Sequence, residues 1–299
     1  MDASQILSAE YSAKSAAYAR HWSPAIRPMA LSLLPALPLR AARRVLDVGA
    51  GTGALLADLK RAAPAAMVIG VDRAEGMLRL AKQSANDFLA VTDAQCLGIR
   101  SDTIDVAVLI FVLFHLPTPT LGLREVSRVL REDGTVGIVT WGQDPGSPGL
   151  SIWREELDRE GAAPDPRDPS VMQQTSMDTP EKLQHLLNAV GFLSVNVWSA
   201  KVAHQWTLDD LLAVQVGCGM PARRLATLPS ERRERCQSRV RTQLGRLTRA
   251  ELEYRPEVLF AVAGRPDSPT AAVGEVMSRP RLSGIALGTP KKREARCER

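Results

Sequence analysis

Three glycines, Gly49, Gly51 and Gly53, follow a short apolar run, Val45, Leu46, Asp47 and Val48, that carries a single acid. Glycine reaches positive φ without strain and lets a backbone approach a bound molecule closely, so this spacing, with Ala50 inside it, reads as a turn built around a ligand. A second acid, Asp72, ends the next apolar run, about 20 residues past the glycines, the separation at which a carboxylate meets a ribose diol. A strand, a glycine turn and a helix start together make a nucleotide site. Gly49 to Ala54 also scans as the G-x-G-x-x-A of a dinucleotide site, so two ligands compete. Asp47 bears on the choice: a carboxylate beside the turn repels a pyrophosphate but suits a ligand whose amino-acid end carries an ammonium. Further along, His115 is the only histidine placed at a strand exit, and so the candidate for taking a proton from a hydroxyl acceptor. Its competing role is a strand-end histidine bonded to neighbouring backbone. Phe111, just before it, is placed to line the cleft. Trp141 either walls an acceptor pocket or covers the core.

These groups need a scaffold, and the apolar pattern supplies one. Residues 45–48 read as a buried parallel strand, and residues 54–60, rich in good helix formers, as the helix after the turn. Strands at 67–71, 88–91, 104–112 and 135–140 alternate with helices at 75–84 and 118–130. The alternation requires a parallel sheet with right-handed crossovers. Residues 142–180 are broken by prolines around a helical patch at 152–157. Thr179, Pro180 and Glu181 start a helix through residue 190 that Gly191 ends, a strand follows at 193–203, helices at 207–216 and 230–247, and a last strand at 257–263. Before the first strand, residues 1–37 form two helical pieces, with Ser4 as a cap, Pro24 in the first turn of the second, and Pro35 near its end.

In motif order the chain resembles the class I S-adenosylmethionine (SAM)-dependent methyltransferases, specifically the small-molecule group that includes the ubiquinone/menaquinone-type enzymes and the type 11 domain. The likeness covers roughly residues 11–141 closely and runs loosely to residue 264. Val45 to Gly53 is similar to that family's glycine motif, Asp72 to its ribose-binding acid, Thr92-Asp93-Ala94 to its adenine-side acid, and Ile104 to Leu116 to its central strand with a His-Leu ending. Val129 to Thr135 is similar to its turn before the fifth strand, with Asp133 in a glycine's place. The resemblance implies an α/β, Rossmann-like, doubly wound, mostly parallel seven-stranded sheet with N-terminal helices and a helical insertion. It also implies SAM as cofactor, held by Tyr18, Asp47, Gly49, Ala50, Gly51, Gly53, Asp72, Arg73, Asp93, Ala94 and Phe111, with His115 as catalytic candidate and Trp141 in the substrate pocket. No metal is required. The implied reaction is methyl transfer to oxygen or carbon of a small, apolar metabolite. Two alternatives are an NAD-dependent oxidoreductase and a catalytically silent SAM-binding protein with an anionic partner.

Length, composition and charge set the outer bounds. A chain of 299 residues, 45% hydrophobic and 24% charged, has room for one large α/β domain with an appendage. The expected division is residues 1–40 as a helical cover over the cofactor, 41–264 as the methyltransferase domain with substrate-side insertions at 142–180 and 204–250, and 265–299 as a disordered basic tail. The net charge of +5 is unevenly placed, with arginines crowded between Arg223 and Arg249 and a Lys291-Lys292-Arg293 run in the tail. Such a run suits an anionic partner, but the interleaved Glu231, Glu234, Glu251 and Glu253 favour a solvated helix face. Nucleic acid is further disfavoured because Phe114-His115-Leu116-Pro117 stands where base-nitrogen methyltransferases carry an Asn/Asp-Pro-Pro-aromatic motif. Four cysteines without C-x-x-C spacing argue against zinc and against a disulfide scaffold. With no secretory signal and no apolar run of about 20 residues, the expected location is the cytoplasm and no membrane span is expected.

Overall fold

The computed structural model describes residues 2–84, 88–143 and 146–265. The expected basic tail, beyond Arg265, lies outside them. Within them, seven strands form one sheet: β1 (Arg44–Val48), β2 (Met67–Asp72), β3 (Phe88–Val91), β4 (Ile104–Ile110), β5 (Leu130–Trp141), β6 (Leu193–Lys201) and β7 (Glu257–Gly264). Their order is β3-β2-β1-β4-β5-β7-β6. The first five run parallel, and β7 enters antiparallel between β5 and β6, from Thr135↔Gly264 to Trp141↔Val258. The mostly parallel, doubly wound sheet expected from the sequence is therefore the one observed.

Successive strand residues point to opposite faces, and the two faces carry separate cores. Val45, Val106, Val108, Val139 and Phe260 pack on one side with Ile26, Met29 and Leu33 from the N-terminal region. Leu46, Ala107, Leu109, Ile138 and Leu259 pack on the other with Leu123, Val126 and Val129. Continuous burial on both faces explains why the central strands read as unbroken apolar runs.

The helices are α1 (Ala3–Ala13), α2 (Ser23–Leu31), α3 (Leu56–Ala62), α4 (Glu75–Ser84), α5 (Pro119–Val129), α6 (Pro148–Arg159), α7 (Pro180–Val190), α8 (Leu208–Gly217), α9 (Gly219–Leu225) and α10 (Ser230–Leu244). Helix α1 is capped by Asp2 in a reciprocal box with Gln5, which corrects the expectation for Ser4. A π turn at Tyr18–Trp22 joins it towards α2, which ends at Leu31, ahead of Pro35. Gly191, at φ 94, terminates α7 as anticipated. Strand β4 stops at Ile110, two residues early, because Phe111 takes φ 56 and leaves the extended region. Strand β5 is longer than residues 135–140: Leu130 already pairs with Ile104, and the ladder resumes at Thr135 after an irregularity in which Asp133 takes φ 62.

Helices α6, α8, α9 and α10 enclose a third core, with Trp153, Leu157, Leu211, Leu225, Val240 and Leu244 fully or nearly buried. Arg224, Arg233, Arg235 and Arg239 among the crowded arginines brace this unit. Arg239 bonds Glu156 and Glu160 on α6, Arg235 bonds Glu160, and Arg233 donates to the Leu225 and Leu228 carbonyls. Arg224, itself buried, donates to Asp158 and to the Ala162 and Ala163 carbonyls. What reads as a charge run is a clamp between α10, α9 and the α6 end. Arg224→Ala should therefore lower unfolding stability by about 2 kcal/mol in urea titration, because it strands buried carbonyls.

Candidate active site

The glycine turn is fastened to the end of β2. Gly49 and Ala50 both donate to the Val71 carbonyl, at 2.7 and 2.9 Å, and Gly53 donates to the Ala50 carbonyl. All three glycines lie at positive φ, between 55° and 76°. The turn thus offers a ligand close approach rather than a row of free amides. At Gly49 the room is already full: a Cβ would lie 2.1 Å from Val112 Cγ2.

Asp72 caps this arrangement. One carboxylate oxygen accepts from Gly51 N at 2.9 Å, the other from Ala74 N at 2.7 Å. Burial raises its pKa and these bonds pull it back. Asp47 lies deeper, 2% exposed, and does not reach the cavity lining. Burial, then the nearby Asp72 carboxylate, push Asp47 up to about 7. Among the described residues no cationic side chain bonds either carboxylate. Two acids held together without a cation form a site that would be stabilised by one.

A cavity of about 130 Å³ runs beside Gly49, Gly51, Asp72, Arg73, Asp93 and Ala94, under α1. Arg73 forms an ion pair with Asp93 at 3.1 Å and reaches Asp2 at 3.5 Å. It therefore joins the cleft wall to the N-terminal helix. Ala50 and Gly53 are beneath the turn and are absent from the lining. Gly53 packs so tightly on α4 that a Cβ would lie 2.9 Å from Ala81 Cβ.

A second, larger cavity, about 800 Å³, adjoins the first. Tyr11, Tyr18, Phe111 and His115 line both. At this junction Tyr11 Oη and His115 Nε2 are 3.0 Å apart. Burial, helped by the positive charge of Arg167, drives His115 down to about 3, against a weaker opposing effect of the Val171 backbone. Burial lifts Tyr11 to about 12 and Tyr18 well above its ordinary value. The pair is neutral on both sides at physiological pH. His115 sits in a short 3-10 turn, Leu113–His115, rather than on the strand itself. Phe111 stacks on Trp141 with centroids 4.1 Å apart, and Trp141 lines only the larger cavity.

Helix α1 is tied down along its length. Gly76 N donates to Ser12 Oγ at 3.2 Å, and Arg223 bonds Glu10 at 3.1 Å and Asp165 at 2.9 Å. Burial pulls Asp165 upward, but the guanidinium groups of Arg223 and Arg167 prevail and hold it at about 2. The structure thus gathers Tyr18, Gly49, Gly51, Asp72, Arg73, Asp93, Ala94, Phe111, His115 and Trp141 around the joined cavities. Tyr11, Arg167 and Arg223 join them without having been assigned roles. Tyr11 is one of three tyrosines in the chain, and nothing local pairs it with a histidine 104 residues away. No cluster of His, Cys, Asp or Glu able to hold a metal occurs among the described residues. No helix among them is long and apolar enough to cross a membrane.

Residues 46–138 match the family described as "Methyltransferase domain". Over 116 residues the chain is 38% identical to a malonyl-[acyl-carrier protein] O-methyltransferase of Geobacter sulfurreducens, covering 38% of this chain and 43% of that protein. It is 32% identical over 126 residues to the ubiquinone/menaquinone biosynthesis C-methyltransferase UbiE of Syntrophotalea carbinolica, covering 40% and 53%. The chain thus spans about half the length of these curated relatives. The fold is similar to the crystal structure of YcgJ from Bacillus subtilis (TM-score 0.51, 20% identity, 79% of this chain and 97% of that one). It is also similar to the [4+2]-cyclase SpnF (TM-score 0.51, 16% identity, 80% of each chain).

Proposed function

We propose, from the premise that residues 46–138 belong to the methyltransferase-domain family, that this chain transfers a methyl group from SAM to oxygen or carbon of an apolar metabolite. The observation that carries the reading is the junction: a narrow cleft lined by Asp72, with Asp47 buried nearby, opens between Tyr11, Tyr18, Phe111 and His115 into a large chamber. One side suits a ribose and an ammonium, the other an acceptor. SAM supplies an electrophilic methyl carbon on a sulfonium, which a nucleophile displaces in line.

The roles of the chain's own groups follow from where they lie. Asp72, with lone pairs beyond those used by Gly51 and Ala74, accepts from the ribose hydroxyls, and Asp93, fixed by Arg73, faces the adenine end. Asp47 supplies negative charge beneath the amino-acid end, and Tyr18 and Phe111 close the cleft. Residues 1–40 act as the cover. Trp141 and the segments at 142–180 and 204–250 shape the acceptor side. Much of the rate enhancement comes from holding reactants in line and excluding water, so these binding groups matter as much as any base.

His115 does not meet the acceptor alone. The Tyr11 hydroxyl and His115 Nε2 share one hydrogen bond, and the phenol oxygen keeps a lone pair that accepts from the acceptor's hydroxyl; because burial and Arg167 hold His115 unprotonated, the pair orients the acceptor rather than taking up its proton. Tyr11→Phe should lower turnover about a hundredfold, read with radiolabelled SAM and the acceptor recovered from a labelled cell extract. Affinity for S-adenosylhomocysteine should stay within about twofold. A parallel loss of that affinity would reduce Tyr11 to a lid contact.

Calorimetry with SAM and S-adenosylhomocysteine between pH 5.5 and 7.5 tests the cofactor. In the free protein the raised Asp47 pKa means that stability due to its proton is present at acid pH and is lost as pH rises through about 7. A cationic ligand requires the ionised form, so binding below 7 releases a proton. Affinity should climb by up to about tenfold per pH unit and level off near 7. Absence of heat with either ligand would sink the proposal, and binding of a nicotinamide dinucleotide instead would restore the oxidoreductase alternative.

A further inference from the structure

The larger cavity has a lining at odds with the composition of the chain. Aromatic residues make up only 4% of the sequence, yet all three tyrosines and three of the five tryptophans line this one chamber. The sheet cores, by contrast, are built almost wholly of leucine, valine, isoleucine and alanine. Apolar burial alone gives no reason for the difference, since aliphatic side chains remove water from a surface equally well.

The rings form one connected cluster in the lining, tilted against one another by 39° to 60° apart from one near-parallel pair. Trp22 lies 6.2 Å from Trp141, 6.3 Å from Trp206 and 6.1 Å from Tyr254, centroid to centroid, and Trp22 and Trp206 are nearly parallel, at 11°. Tyr254 closes the group at 6.3 Å from Trp141 and 6.5 Å from Trp206. Phe111, stacked on Trp141, carries the cluster to the junction, where Phe114 lies 4.3 Å from the His115 ring.

Charge narrows the ligand further. Arg223 is committed to Glu10 and Asp165, and Arg167 also bonds Asp165. Asp178, Glu253 and Glu257 line the same chamber. The lining therefore offers an anionic acceptor little net attraction. A volume of about 800 Å³ is also far more than a small metabolite needs and lies within the range of drug-sized sites.

We propose that the chamber takes an extended, planar, conjugated and uncharged acceptor of several fused rings, methylated at an edge atom. This rests on the methyl-transfer reading and replaces its small metabolite by a larger, flat one. Aliphatic chains and carboxylates of similar length are the excluded classes.

The test uses the full chain saturated with S-adenosylhomocysteine, titrated with 1-hydroxypyrene, 1-dodecanol and pyrene-1-carboxylate, with tryptophan fluorescence and calorimetry as readouts. The expected result is that 1-hydroxypyrene binds at least tenfold more tightly than either of the others, and that Tyr254→Leu reduces its affinity severalfold while leaving that for S-adenosylhomocysteine unchanged. Equal or tighter binding of the alkanol or the carboxylate overturns the inference, and the wild-type comparison stands even if the variant fails to fold. Failure of S-adenosylhomocysteine itself to bind strikes instead at the methyl-transfer reading, so the two failures are separable.

Discussion

Asp72→Asn is expected to weaken SAM binding about a hundredfold, or roughly 2.7 kcal/mol, in a calorimetric titration at neutral pH. The reason lies in what the carboxylate already does. Its two oxygens accept from the amides of Gly51 and Ala74, and both must be acceptors. An asparagine supplies one carbonyl oxygen and one amino group, so one backbone N–H would face another donor. The glycine turn loses one of its ties to β2, the Gly51 bond, at the same time as the ribose loses its acceptor. Asp72→Glu, which keeps both oxygens but moves them by a methylene, should lose less affinity than the asparagine variant. An asparagine variant that binds SAM as tightly as wild type would remove Asp72 from the site.

Gly49→Ala is expected to cost about 3 kcal/mol of unfolding stability and to abolish measurable SAM binding. Two separate strains add. At φ 76 any side chain pays a conformational penalty, and the new methyl would sit 2.1 Å from Val112 Cγ2. Val112 is β-branched and cannot swing aside cheaply. The double variant Gly49→Ala with Val112→Ala should regain part of the loss, because it removes the clash and leaves the backbone strain. Urea titrations of the four members of this cycle separate the two contributions. If the double variant is no more stable than the sum of the single changes, the contact with Val112 is not the limiting one.

The parts of the molecule legible in the sequence are those set by local rules. Strands β1 and β4 declared themselves because burial on both faces leaves little room for polar residues, and Gly191 marked the end of α7 because a left-handed residue is needed there. The glycine turn and Asp72 were legible for the same reason: a tight turn and the strand end beside it are neighbours in space by construction.

What escaped depends on contacts between distant segments. The partner of His115 comes from α1, and nothing near either residue encodes their meeting. Arg223, Arg224 and Arg239 read as part of an undifferentiated charge run, since their carboxylate partners lie far upstream, on α1, on α6 and just after it. Helix α9 was missed because it has seven residues, begins at a glycine and includes Pro221, so no apolar period could develop. The positive φ of Phe111 shortened β4 against the apolar pattern. Its amide still bonds the Val139 carbonyl at 2.8 Å, and its ring meets Trp141, so the tertiary contacts outweigh the local preference.

One consequence follows from the way the Tyr11–His115 pair is divided between two segments. The phenol belongs to a helix clasped through Asp2, Glu10 and Ser12, whereas the imidazole belongs to the 3-10 turn that follows β4. Were that helix to lift to admit or release a molecule, the couple would come apart and the acceptor would lose its phenol contact. The chemistry would thereby be silenced during exchange and armed only on reclosure, a safety interlock that costs the protein no additional residue.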